Sequence, residues 1–101
     1  MEKSTTRGRD LFEIIERQGY CCFYTGVKLH PSNASADHKT PYSRGGDNNP
    51  SNVCVVSAIV NRAKGTMTHE EFVGMCLLVA RKWSSENGTA WMDAFKGRHE
   101  G

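Results

Sequence analysis

Apolar and polar positions alternate along this chain in a way that predicts a succession of short elements. Leu11, Phe12, Ile14 and Ile15 form an apolar face behind Asp10 and Glu13 and ahead of Gly19, which predicts a helix over 10–18. Tyr20 to Leu29 is aromatic and β-branched but broken by Thr25-Gly26, so it reads as two extended pieces around a turn. After the breakers His30 to Asn33, Ala34 to Lys39 reads as a short strand ending at Pro41. Val53 to Val56 is a continuous apolar run of the kind a buried strand carries. Ser57 can cap a helix from Ala58 to about Lys64, stopped by Gly65. Thr68-His69-Glu70-Glu71 has the spacing of a capping box and opens a helix to about Glu86, with Phe72, Cys76, Val79 and Trp83 at helical spacing. Asn87-Gly88 ends it, and Thr89 to Phe95 predicts one last short helix carrying Trp91. The expected core draws on Phe12, Ile15, Phe23, Val55, Ile59, Phe72, Val79, Trp83 and Trp91.

Between the two strands, Pro41 to Ser51 is dense in turn formers, and a loop this long in so small a chain suggests function. With 101 residues, residues 1–101 are expected to form a single domain. No apolar run approaches the roughly 18 residues of a membrane span. The polar stretch Met1 to Asp10 has no apolar h-region, so neither secretion nor a membrane is expected and a cytoplasmic location is. The four cysteines, Cys21, Cys22, Cys54 and Cys76, contain no C-x-x-C pair, and reduced thiols are the expectation. Net charge is +2, a balance that permits nucleic-acid binding without demanding it. Lys39, Arg44, Arg62 and Lys64 are nevertheless concentrated between residues 37 and 64.

The same stretch carries the candidate chemistry. Asp37-His38 closes the first strand, Asn52 precedes the second, and Asn61 stands inside the following helix, where asparagine is a poor interior residue. Antiparallel strands joined through the loop, with the helix folded back over them, could bring Asp37 and Asn61 together. A carboxylate and an amide oxygen are hard ligands suited to Mg²⁺ or Mn²⁺. An adjacent imidazole, whose ordinary pKa is about 6.5, can take a proton from water near neutral pH.

The order and spacing of Asp37 to Gly46, Pro50-Ser51-Asn52-Val53 and Asn61-Arg62-Ala63-Lys64-Gly65, with Cys22-Phe23-Tyr24-Thr25-Gly26 upstream, resemble the HNH endonuclease motif. The resemblance implies an α+β fold: a ββα-metal (His-Me finger) core over about 34–65 with flanking N-terminal and C-terminal helices. It implies that Asp37 and Asn61 ligate one Mg²⁺ or Mn²⁺, that His38 is the general base, and that Asn52 braces the loop and orients the imidazole. Lys39, Arg44, Arg62 and Lys64 would hold the DNA phosphate backbone. The implied activity is divalent-metal-dependent hydrolysis of phosphodiester bonds, nicking duplex DNA with low sequence specificity and leaving 5′-phosphate and 3′-hydroxyl ends. The setting would be a bacterial or phage-infected cytoplasm. A non-catalytic DNA-binding or assembly module on the same scaffold is the alternative. Many members of the family carry two C-x-x-C pairs that bind zinc; here Thr25, Ser57 and Val60 stand at three of those four positions and leave Cys22 alone. The expectation is a domain without structural zinc.

Overall fold

The computed structural model describes residues 5–87 and 90–99. The elements follow one another as α1 (Gly8–Arg17), β1 (Ala34–His38), β2 (Val53–Ser57), α2 (Ala58–Lys64), α3 (His69–Asn87) and α4 (Ala90–His99). This is the expected α+β arrangement, a two-stranded antiparallel sheet and a helix with further helices on either side. Helix α1 begins two residues before the predicted start. Its N-terminal residue pair is closed by Asp10, whose Oδ2 accepts the Arg7 N–H at 2.9 Å, so Asp10 sits in the first turn rather than at the cap.

Strands β1 and β2 pair in the register Ala34↔Ser57 to His38↔Val53. Every residue of β2 is buried, because α1 packs against one of its faces and α2 folds back onto the other. A strand covered on both sides has no reason to alternate, which is why Val53-Cys54-Val55-Val56 is continuously apolar. Its free edge is closed by a side chain: Gln18 Oε1 accepts the Val55 N–H at 3.0 Å while Gln18 Nε2 donates to the Val55 carbonyl at 2.9 Å. Cys21 and Lys28 bridge across the predicted turn between the extended pieces.

The buried cluster consists of Ile14, Cys22, Leu29, Val53 to Val56, Val60 and Phe72, with Ile15 and Ile59 packed at its margin. Five expected core residues lie outside it. Phe12, Phe23, Val79, Trp83 and Trp91 are all exposed, since α1 turns only its Ile14 side inward and α3 reaches the core only at Phe72.

Two devices attach α3 to the motif. Thr68 and Glu71 form the predicted capping box, Glu71 N–H donating to Thr68 Oγ1 at 3.2 Å and Thr68 N–H to Glu71 Oε1 at 3.0 Å. Arg44, at the tip of the inter-strand loop, reaches across and makes a two-pronged pair with Glu71, both bonds 2.9 Å long. That guanidinium, with the Thr68 N–H, holds the Glu71 carboxyl down to about 2. Because the folded carboxyl titrates below its ordinary value, its stabilisation is complete above about pH 4.5 and is lost as pH falls toward 2. Glu71→Gln should therefore melt below the parent protein at pH 6, and the gap should close as melts followed by circular dichroism are repeated down to pH 2.

Candidate active site

Asp37 and His38 are the last two residues of β1, and the pairing sets them against Cys54 and Val53 at the start of β2. Ser57 ends β2 and caps α2 with no intervening loop, its side chain accepting from the Val60 N–H. The chain therefore reverses at once, and α2 carries Asn61 over β1, where its Nδ2 donates to Ser35 Oγ at 3.1 Å. Asp37, His38 and Asn61 line one cleft of about 320 Å³, with Pro41, Tyr42 and Ser43 from the loop.

The Asp37 carboxylate is buried and engaged. Lys64 Nζ lies 3.1 Å from Oδ2, and the same ammonium donates to the His38 carbonyl at 2.9 Å. The Cys54 thiol lies 3.9 Å from Oδ2; burial and this carboxylate push it up to about 12, so it serves as a neutral S–H donor. Asn61 spends its Nδ2 on Ser35, which leaves its amide oxygen as the atom to offer a cation. A carboxylate has lone pairs beyond those that face Lys64. The carboxylate and amide oxygen in one cleft thus fit a hard divalent cation. Among the described residues no group of three His, Cys, Asp or Glu side chains gathers. A cation here would rest on few protein ligands, leaving room for water and phosphate.

His38 Nε2 lies 3.0 Å from Asn48 Oδ1. An amide oxygen can only accept, so Nε2 carries the hydrogen and Nδ1 keeps its lone pair. The Tyr42 ring, its centroid 4.9 Å away, covers the imidazole. Asn48 is itself held through its carbonyl, which accepts from both the N–H and the Oγ1 of Thr6 at 2.8 Å. Asn48 and Tyr42 were missed in the sequence, because a loop full of turn formers gives no sign which of them meets the imidazole.

The side-chain hydrogen bonds of Asn52 go to the loop backbone and not to His38. Its Nδ2 donates to the carbonyls of Thr40 at 3.0 Å and Asp47 at 2.8 Å, and its Oδ1 accepts the Thr40 N–H at 3.0 Å. Gly46 completes this closure: a Cβ there would collide with the Thr40 carbonyl.

The four basic residues divide. Lys64 is 1% exposed, so it cannot reach a phosphate at the surface; its place under the sheet follows from the ion pair with Asp37. Arg44 is exposed, but its guanidinium is taken up by Glu71. Lys39 lies over the Phe23 ring at 5.1 Å and donates to the Ser51 carbonyl, and Arg62 is exposed on α2. Tyr24 and His69 form a second link behind the loop, Oη to Nδ1 2.9 Å, with the rings stacked; burial, first of all, raises the Tyr24 hydroxyl well above its ordinary range.

The four positions that the resemblance assigns to structural zinc do come together. Burial pushes the Cys22 thiol up, but hydrogen bonds from the Thr25 side chain and from the backbone of Thr25, Ser57 and Tyr24 outweigh it and leave the thiol below its ordinary value. Ser57 is turned to capping and Val60 to the core.

Residues 22–69, just under half of the chain, match the family described as HNH endonuclease. No curated protein matches the chain. The matched segment contains every residue of the cleft and ends at His69, where Tyr24 closes back onto α3.

The placement of Lys64 is testable. Removing one partner of a buried ion pair strands the other, so Lys64→Met should cost about 3–5 kcal/mol in urea unfolding. A variant with parental stability that had lost only its affinity for DNA would instead return Lys64 to a phosphate-holding role.

Proposed function

We propose that this chain, whose residues 22–69 match the HNH endonuclease family, is a divalent-metal-dependent DNA endonuclease that nicks duplex DNA with little sequence preference. The observation that carries the reading is the meeting of Asp37, His38 and Asn61 in one cleft. Asp37 and Asn61 would hold one Mg²⁺ or Mn²⁺. The cation, when bound, neutralises charge on the phosphate and stabilises the leaving 3′ oxygen. His38 Nδ1 takes the proton of the attacking water, giving 5′-phosphate and 3′-hydroxyl ends. Asn48 fixes the tautomer that makes Nδ1 basic, and Tyr42 restricts the ring. Lys64 keeps the Asp37 carboxylate and the His38 backbone in constant relation, so ligand and base retain their spacing. Lys39 and Arg62 contact the sugar-phosphate backbone rather than base edges, which leaves sequence preference weak. The whole chain acts as one domain, in a cytoplasmic setting.

The Asp37–Lys64 pair favours a second reading, a DNA-binding or assembly module without turnover, because the ammonium already supplies the carboxylate with a cation. Plasmid relaxation separates the two. Nicking should require Mg²⁺ or Mn²⁺ and stop with EDTA, with open-circular product preceding linear. His38→Ala should lower the rate by about 10²–10⁴, the usual worth of a general base. Asn48→Ala should lower it by less, since the imidazole survives without its orienting partner. DNA binding with no metal-dependent relaxation would select the module.

The fold should also stand without structural zinc, because only Cys22 of the four ligand positions retains a metal-binding side chain. Elemental analysis should find well under one zinc per chain, and EDTA in Mg²⁺-free buffer should leave the melting temperature unchanged.

A further inference from the structure

The C-terminal half of the chain is more apolar than its own fold can use. From Phe72 to Ala80, nine successive residues of α3 carry no charge, yet only Phe72 among them is buried. Met75 is 41% exposed, Leu77 65%, Leu78 60% and Val79 57%, and Trp83 follows at 48%. Helix α4 covers one side. Its Trp91 ring lies 6.2 Å from Trp83, and its Phe95 shares an apolar groove of about 450 Å³ with Phe72, Met75 and Val79. Leu77 and Leu78 do not line that groove; they project from other sides of α3. A helix apolar around most of its circumference is ordinarily a buried one.

The charges flanking the apolar run point to what covers this surface. On the face of α3 turned away from α4, Leu77 and Leu78 flank Gly74 at helical spacing, and both leucines are exposed. A membrane is the wrong occupant, since nine residues of helix rise only about 14 Å against a hydrocarbon core of about 30 Å. The charges flanking the run are opposite in sign: Glu70 and Glu71 precede it, Arg81 and Lys82 follow it, and Cys76 stands midway between them. An antiparallel copy of the same helix, centred there, sets Glu70 of each chain beside Arg81 or Lys82 of the other. Glu71 is already spent on Arg44, which leaves Glu70 to make this contact. In the same register Leu78 of one helix falls on Gly74 of the other, and nothing lies within 4 Å of where a Gly74 Cβ would be.

We infer that the Leu77–Leu78 side of α3 is an interface between two copies of this chain, packed antiparallel about a twofold axis that crosses this face at the height of Cys76 along the helix. Sedimentation velocity of the full chain, without DNA or metal, should show a monomer–dimer equilibrium with a Kd of micromolar order. Leu78→Glu should remain monomeric with an unchanged circular dichroism spectrum, as befits an exposed position. Glu70→Lys and Arg81→Glu should each weaken association about tenfold, through two symmetry-related exposed pairs. The two combined should restore it to within about twofold of the parent, because the residues lie too far apart on one helix to touch. A protein monomeric at every concentration, a dimer unaffected by Leu78→Glu, or a charge swap that fails to rescue would each overturn the inference. The measurement involves no catalysis, so its failure would leave the nuclease reading where it stood.

Discussion

Burying the Lys64 ammonium beside the Asp37 carboxylate is the constraint around which the rest of the motif is arranged. An ammonium 1% exposed would be costly without a counter-charge, and the sheet and α2 supply one at 3.1 Å together with the His38 carbonyl at 2.9 Å. For those contacts to form, α2 must fold back directly over β1. That in turn requires Ser57 to end the strand and start the helix in one residue, and Gly65 to end the helix directly after Lys64 with a positive φ of 53°. The same fold-back delivers Asn61 to Ser35 and so to the cleft. The geometry of the cleft is a consequence of neutralising a charge beneath it.

The loop between the strands is held by a different kind of interaction, a set of side-chain bonds to backbone. Asn52 ties Thr40 to Asp47, Gly46 lets the chain pass against Thr40, and Asn49 accepts from the Ser51 N–H and hydroxyl. Backbone groups in so irregular a segment would otherwise depend on water. Rigidity here matters because Asn48 and Tyr42, which set the position of the His38 ring, both belong to the loop. Arg44 and Glu71 then tie its tip to α3, so the imidazole is positioned by a segment anchored at both ends and in its middle.

Local patterns made much of this legible in the sequence. Helix α2 runs from Ala58 to Lys64 as its cap and stop residues indicate, β2 follows the apolar run, and the Thr68–Glu71 capping box opens α3. These features depend on residues within four positions of one another. The cleft was legible because Asp37, His38 and Asn61 are positioned by the same short elements. What escaped the sequence depends on distance. Whether Lys64 points outward or inward is decided by Asp37, 27 residues away, and a basic residue near a helix end reads as surface when its partner is unknown. The pairing of Arg44 escaped for the same reason, its partner lying in α3. Periodicity also assigned Val79, Trp83 and Trp91 to the core, because it identifies an apolar face without saying what is available to cover it.

That last discrepancy divides the chain by energetic role. Among the described residues, every buried hydrophobic one lies between Ile14 and Phe72, in α1, the motif and the first turn of α3. Within that segment the strand is covered on both faces, its edge is closed by Gln18, and the buried charge is paired. Beyond Phe72 the chain continues to carry large apolar residues at positions the motif cannot reach, since α3 rises about 1.5 Å per residue and leaves the sheet behind within two turns. Residues such as Leu77 and Leu78 contribute little to the folding of an isolated chain while they face water, because burial is what makes an apolar side chain stabilising. Their contribution is realised when another surface excludes that water. The cleft and the exposed apolar face thereby lie on different parts of one small molecule, with α3 anchored to the inter-strand loop at its first turn and left uncovered farther along on the side away from α4.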